Sequence, residues 1–285
     1  AEQWYRKALE IDERLDLKRD AATDYHQLGI IAEERQQFDE AEQWYRKALE
    51  IYERLRLERD AADDYHQLGI IAEERQQFDE AEQWFHKALE IRERLGMERD
   101  AATDYHQLGI IAEERQQFDE AEQWYRKALE IFERLGLERD AADDYHQLGM
   151  IAEERQQFDE AEQWYRKALE IFERLGLERY AATVYHQLGM IAEERQQFDE
   201  AEQWYRKALE IYNKIGHPPL KVNTLAVFGV LRFQQGRLHE SVAWFAKAYG
   251  IASAYNMPVA ERIKSDLRRL LEAMGREGFV NAWRE

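Results

Sequence analysis

The chain repeats itself every 40 residues: AEQWYRKALEI stands at Ala1, Ala41, Ala121, Ala161 and Ala201, and at Ala81 with two changes. A second segment, YHQLG, recurs with the same period at Tyr25, Tyr65, Tyr105, Tyr145 and Tyr185. A fixed period of this length marks stacked units that cannot bury their apolar faces alone, so each neighbour completes the core of the next. A single globular centre is excluded by the same reasoning.

Within one unit, Ala41, Trp44, Tyr45, Ala48, Leu49, Tyr52 and Leu55 follow the spacing of an amphipathic helix, here named helix B. A second stripe, Ala61, Tyr65, Leu68 and Ala72, follows after a break and is named helix A. An Asp ahead of each stripe is expected to cap the free N–H groups, and Asp39 with Glu42 has the form of a capping box. Gly96, Gly136 and Gly176 stand where helix B should end in a left-handed residue. Gly29, Gly69, Gly109, Gly149 and Gly189 lie mid-helix, where Gly costs about 1 kcal/mol against Ala. Close approach of a neighbouring helix is the expected reason for them.

The 285 residues contain no Cys, which removes disulfides, thiolate nucleophiles and cysteine zinc sites together and fits a cytoplasmic protein. No apolar run approaches the roughly 20 residues of a membrane span, and no signal sequence opens the chain. The net charge of -19 is uneven: residues 1–219 carry 30 Lys or Arg against 53 Asp or Glu, while residues 220–285 carry ten against six. Such an acidic array repels phosphate backbones and anionic headgroups, so nucleic acid and membrane are excluded and a protein or peptide with a basic segment is favoured.

Tyr65, Leu68, Gly69, Ala72, Phe78, Ala81, Phe85 and Ala88 match the tetratricopeptide signature in type and spacing, and the chain resembles that family over nearly its whole length. The resemblance implies an all-α fold, a right-handed α-solenoid of stacked antiparallel helix hairpins. The family unit is usually about 34 residues, with Gly between helices A and B and Pro after helix B. Here Gln36, Gln76, Gln116, Gln156 and Gln196 hold the Gly position and the Pro is missing, so the unit is longer. This variety resembles the arrays of spindle-orientation adaptors and of bacterial signalling ATPases. Expected domains are the repeats at 1–217, a divergent repeat at 218–257 opened by Pro218 and Pro219, and capping helices at 258–285. Gly275 should end the main capping helix, with Phe279, Val280 and Trp283 folding back. The start within a repeat, at a helix B, is read as a piece of a longer chain whose remainder holds the activity.

The resemblance also implies that ligands lie along the concave surface made by the A helices. The matching positions are His26, Gln27, Ile30, Glu33 and Glu34; Asp63, His66, Gln67, Ile70, Glu73 and Glu74; His106, Gln107, Ile110, Glu113 and Glu114; Asp143, His146, Gln147, Met150, Glu153 and Glu154; and His186, Gln187 and Met190. Amides and carboxylates with Ile or Met between them suit an extended, basic, partly apolar peptide; the alternative is a merely solvated face. The family's carboxylate clamp for chaperone tails does not carry over, because it needs Lys and Asn where this chain has His66, Ile70 and Glu74.

The five repeated histidines are too far apart for one metal ion if A helices stand roughly 10 Å apart. They read as packed or hydrogen-bonded groups, with pH sensing as the alternative. The Trp ladder, from Trp4 to Trp244, is assigned to packing between units. Thr23, Asp63, Thr103, Asp143 and Thr183 alternate on helix A, and Asp12, Tyr52, Arg92, Phe132, Phe172 and Tyr212 vary near the end of helix B; both columns could tune a partner's register or be neutral drift. No phosphate-cradling Gly loop, nucleophile elbow or zinc helix is present, and carboxylate pairs such as Glu33 and Glu34 repeat without distinction. The reading is a non-enzymatic recognition module that needs no cofactor. The rival is a spacer or a rod associating end to end through an uncovered N-terminal helix.

Overall fold

The computed structural model describes residues 1–284, and among these it contains fourteen helices and no strand. The B helices are α1 (Glu2–Arg14), α3 (Phe38–Leu55), α5 (Phe78–Arg94), α7 (Phe118–Leu135), α9 (Phe158–Arg174), α11 (Phe198–Ile215) and α13 (Leu238–Ala254). The A helices are α2 (Lys18–Glu34), α4 (Glu58–Glu74), α6 (Glu98–Glu114), α8 (Glu138–Glu154), α10 (Glu178–Glu194) and α12 (Pro218–Gln234). The last helix is α14 (Val259–Arg284), broken at Gly275, where φ is 70° and ψ 167°, as the sequence led us to expect. Consecutive helices pack as pairs, α2 on α3, α4 on α5, α6 on α7, α10 on α11 and α12 on α13. This is an all-α repeat solenoid, with two compact units, residues 1–144 and the remainder from Tyr145.

In the first unit the core is built from the periodic residues: Ala41, Tyr45, Ala48, Ala61 and Leu68 are buried in one cluster, and Ala81, Phe85, Ala101 and Leu108 in the next. Trp84 packs against both clusters, so it ties one hairpin to its neighbour. It also stacks on Tyr65 at 5.6 Å, with the Lys87 ammonium 4.3 Å from its ring centroid. The mid-helix glycines make the close approach that was expected. A Cβ on Gly109 would stand 2.6 Å from Tyr125 Cε1, and one on Gly69 would stand 2.7 Å from Phe85 Cε1.

The capping expectation is corrected. Asp39 lies inside the first turn of α3; the N-cap is Gln37, whose side chain makes no capping bond, and Leu57 stands in the same relation to α4, with Asp60 inside that helix. Asp39 instead accepts from Arg75 Nη2 at 2.5 Å, while Arg75 Nη1 donates to Glu42 at 2.6 Å. Asp39 and Glu42, which looked like a capping box, are thus partners of Arg75.

The inter-helix turn keeps its left-handed residue even though Gly is absent there. Gln36, Gln76, Gln116, Gln156 and Gln196 have φ between 58° and 60°. A side chain in this region is disfavoured by roughly 1–2 kcal/mol, part of which Gly loses again through its freer unfolded chain. Gln116→Gly is therefore expected to stabilise the protein by about 1 kcal/mol, read as a higher denaturation midpoint. An unchanged or lower midpoint would show that the Gln side chain compensates for its backbone.

Candidate functional site

The expected groove residues fall on one face of the A helices, and most are already engaged with neighbouring helices. Asp63, His66, Gln67, Ile70 and Glu73 are half-buried and Glu74 is exposed, with the same pattern at the equivalent positions of α6, α8 and α10 and, except for the exposed Thr23, of α2.

In the first unit each histidine reaches from its own A helix to the next. His26 Nδ1 lies 2.7 Å from Asp64 Oδ1, His66 Nδ1 2.7 Å from Asp104 Oδ1, and His106 Nδ1 2.6 Å from Asp144 Oδ1. Asp64, Asp104 and Asp144 are wholly buried. This acid column, one residue before each Tyr of the YHQLG segment, was not singled out in the sequence; its signal was a carboxylate amid an otherwise apolar stripe. Burial opposes the charged form of His26 and His106, but the hydrogen bonds to Asp64 and Asp144 and the charges of Asp63 and Asp143 outweigh it and raise both histidines. Burial likewise pushes Asp64 and Asp144 up to about 6 against the pull of their imidazoles.

The pattern breaks in the second unit, where Val184 occupies the acid position on α10 and Thr224 occupies it on α12. His146 and His186, buried without a carboxylate, are both pushed down to about 4 and are neutral imidazoles at neutral pH. His186 Nδ1 meets only the Thr224 hydroxyl, at 3.5 Å.

A second column joins helix A to helix B within a hairpin. Tyr45 donates to Glu33 at 2.8 Å, Tyr125 to Glu113 at 2.9 Å, Tyr165 to Glu153 at 2.7 Å and Tyr205 to Glu193 at 2.9 Å. Phe85 interrupts it. Glu73 then keeps a buried Oε2 without a partner, and burial, joined by the Glu74 charge, raises its carboxyl to about 7. A carboxyl raised in the folded state contributes stability that is present below about pH 4.5 and is lost as pH rises through about 7. Phe85→Tyr supplies the missing donor, so it should stabilise the protein at about pH 8 by roughly 1.5–3 kcal/mol, with little effect at about pH 4.5. Equal melting shifts at both pH values would contradict this.

Arg92 fills a position held by an aromatic residue in four other repeats, at Tyr52, Phe132, Phe172 and Tyr212. Its guanidinium is buried, with Nη1 2.6 Å from Asp104 Oδ1 and Nη2 3.0 Å from Asp63 Oδ1, which ties the exposed side of α4 to the interior. Beside these engaged histidines and glutamates, Gln67 and Ile70 are half-buried and Glu74 is exposed. The described residues hold no cluster of His, Asp and Glu able to bind a metal ion, and no helix is long and apolar enough to cross a membrane.

The sequence profile of the tetratricopeptide repeat matches residues 1–54, 60–134, 140–214 and 180–254. The chain belongs to the tetratricopeptide repeat family. No curated protein matches it at a significant level. Among solved structures, a signal transduction ATPase with numerous domains from Pyrococcus horikoshii, which has a tetratricopeptide repeat sensor, superposes with a TM-score of 0.79 at 18% identity, covering 96% of this chain and 41% of that one. The apo form of RapI gives 0.72 at 17% identity, covering 92% of this chain and 95% of RapI. YrrB, described as a tetratricopeptide repeat protein with an unusual peptide-binding site, gives 0.51 at 22% identity, covering 74% of this chain and 93% of YrrB. At these identities the likeness is one of fold. The tetratricopeptide repeat is generally a scaffold for protein interaction, and no enzymatic family is indicated for this chain.

Proposed function

We propose that this protein is a recognition module that binds an extended, basic segment of a protein partner in the groove that the family resemblance places on its A helices. The observation that carries the reading is the recurrence of exposed Glu34, Glu74 and Glu114 beside half-buried Gln27, Gln67, Gln107 and Ile30, Ile70, Ile110, once per repeat of the first unit. Carboxylates there attract cations, amides reach backbone groups and Ile offers apolar contact, while the engaged histidines keep the helices rigid. The acidic balance of residues 1–219, 30 basic against 53 acidic side chains, favours encounter with a basic segment. The peptide-binding description of YrrB and the sensor role of the Pyrococcus array are consistent with such use. A cytoplasmic, signalling setting belongs to the same proposal.

Calorimetric titration of a Lys-rich extended peptide tests it. Affinity should fall with salt, and Glu34→Gln, Glu74→Gln and Glu114→Gln together should weaken it by about tenfold, since three exposed charge contacts at roughly 0.2–1 kcal/mol each sum to that order. Affinity unchanged by the triple substitution would remove the reading.

A further inference from the structure

The A-helix face changes character at the divergent repeat. Aligning by the 40-residue period, Val230 stands at the position of Ile70 and Met190, Phe233 at that of Glu33 and Glu73, and Gln234 at that of Glu34 and Glu74. Phe245 takes the place of Tyr45. The hydrogen-bonded Glu–Tyr pair of four other repeats has thus been replaced on both sides by phenyl rings. A cleft of about 250 Å³ opens there, lined by Val230, Phe233 and Gln234 of α12, Phe245 of α13 and Asp266, Arg269 and Leu270 of α14. Phe233 is 37% exposed while Phe245 is buried, so the floor is fixed and one wall is open to solvent.

Gln234 at the edge of the cleft stands near Glu193 of α10, the preceding A helix, and helps to stabilise its charged form. Glu194 on the same helix is exposed, and Asp266 stands at the cleft's polar rim with Arg269, 3.7 Å away. An apolar hole of this size beside carboxylates fits one side chain of a segment whose flanking residues are basic.

We infer that this cleft is a specificity pocket on the A-helix face of the second unit, and that it takes a single Phe, Leu or Met side chain of a basic segment lying along Glu193 and Glu194 of α10. The inference rests on the proposed function. It makes the partner's sequence, and not its charge alone, decide binding: burying one large apolar side chain against Val230, Phe233 and Leu270 raises affinity by about tenfold or more over the same peptide with Ala.

The test uses a series of Lys/Ser/Gly peptides in which one Phe is moved stepwise along the chain, beside an otherwise identical peptide with Ala. The protein is the full chain and its variants. The double variant Phe233→Glu with Phe245→Tyr recreates the Glu33–Tyr45 pair that other repeats fold with. Val230→Met, which carries the residue of Met150 and Met190, fills the cleft more gently and guards against a misfolded double variant. The expected result is one register at which the Phe peptide binds about tenfold tighter than the Ala peptide, with that preference lost in the double variant and reduced in Val230→Met. Binding of the Ala peptide with no gain from Phe at any register, or a gain that survives both variants, overturns the pocket and leaves the basic-segment reading standing. Binding of no peptide overturns both.

Discussion

Arg92→Ala is expected to cost about 3–5 kcal/mol, and Arg92→Phe less. The guanidinium is 5% exposed and holds Asp104, which is wholly buried, together with Asp63, the Asp100 carbonyl at 3.3 Å and His66 Nδ1 at 3.3 Å. Removing it to Ala leaves the Asp104 carboxylate inside the protein with only His66 beside it, and leaves a void where the side chain lay. Removing one partner of a buried pair is costly because the other charge stays desolvated; both variants do this, and Ala alone adds an unfilled void, which costs more. Phe at this position has precedent within the chain: Phe132 and Phe172 hold it in other repeats, and in the Phe132 repeat Asp144 meets only His106, at 2.6 Å. Chemical denaturation of the two variants checks the contrast. Equal losses would mean that Arg92 acts through its charge and hydrogen bonds and not through the volume it fills.

Gly109→Ala is expected to destabilise, with overpacking worth about 1–3 kcal/mol partly offset by the roughly 1 kcal/mol that Ala gains in helix propensity. The added carbon would sit 2.6 Å from the Tyr125 ring, which is wholly buried. That ring cannot retreat without stretching its hydroxyl from Glu113, at present 2.9 Å away. Gly250 supplies the control. It lies within α13, has nothing within 4 Å of a built Cβ, and so should gain from the same substitution. Thermal melts that move in opposite directions for Gly109→Ala and Gly250→Ala are expected; a stabilised Gly109→Ala would refute the close approach as the reason for the glycine column.

The elements were legible because their signal is local and repeated. Ala41, Tyr45, Ala48 and Leu49 declare helix B within one turn or two, and Gly136 marks its end with a φ of 68°. The helix starts were misread because Asp39 looks like a cap to its own helix while its partner, Arg75, lies 36 residues away. The same difficulty hid the Asp–His bridges. His66 and Asp104 are 38 residues apart, and no local pattern distinguishes a bridging imidazole from one that lines an open face. The candidate face was therefore placed on the A helices by family resemblance, while the division of its residues between internal bridges and outward groups came only from geometry. The cleft near Phe233 was missed for another reason: it draws on three helices, and the divergence of its repeat obscures the register that relates Phe233 to Glu33.

Whether the A helices receive the partner is read most directly by photo-crosslinking with the Lys-rich peptide. A photoreactive phenylalanine analogue is placed at Gln67, half-buried on the A-helix face, and in a second protein at Glu50, exposed on helix B. The expected result is a crosslink from position 67, competed by unlabelled peptide and weakened by salt, with none from position 50. A competed crosslink from position 50 and none from position 67 would place the partner on the B helices and contradict the proposed function.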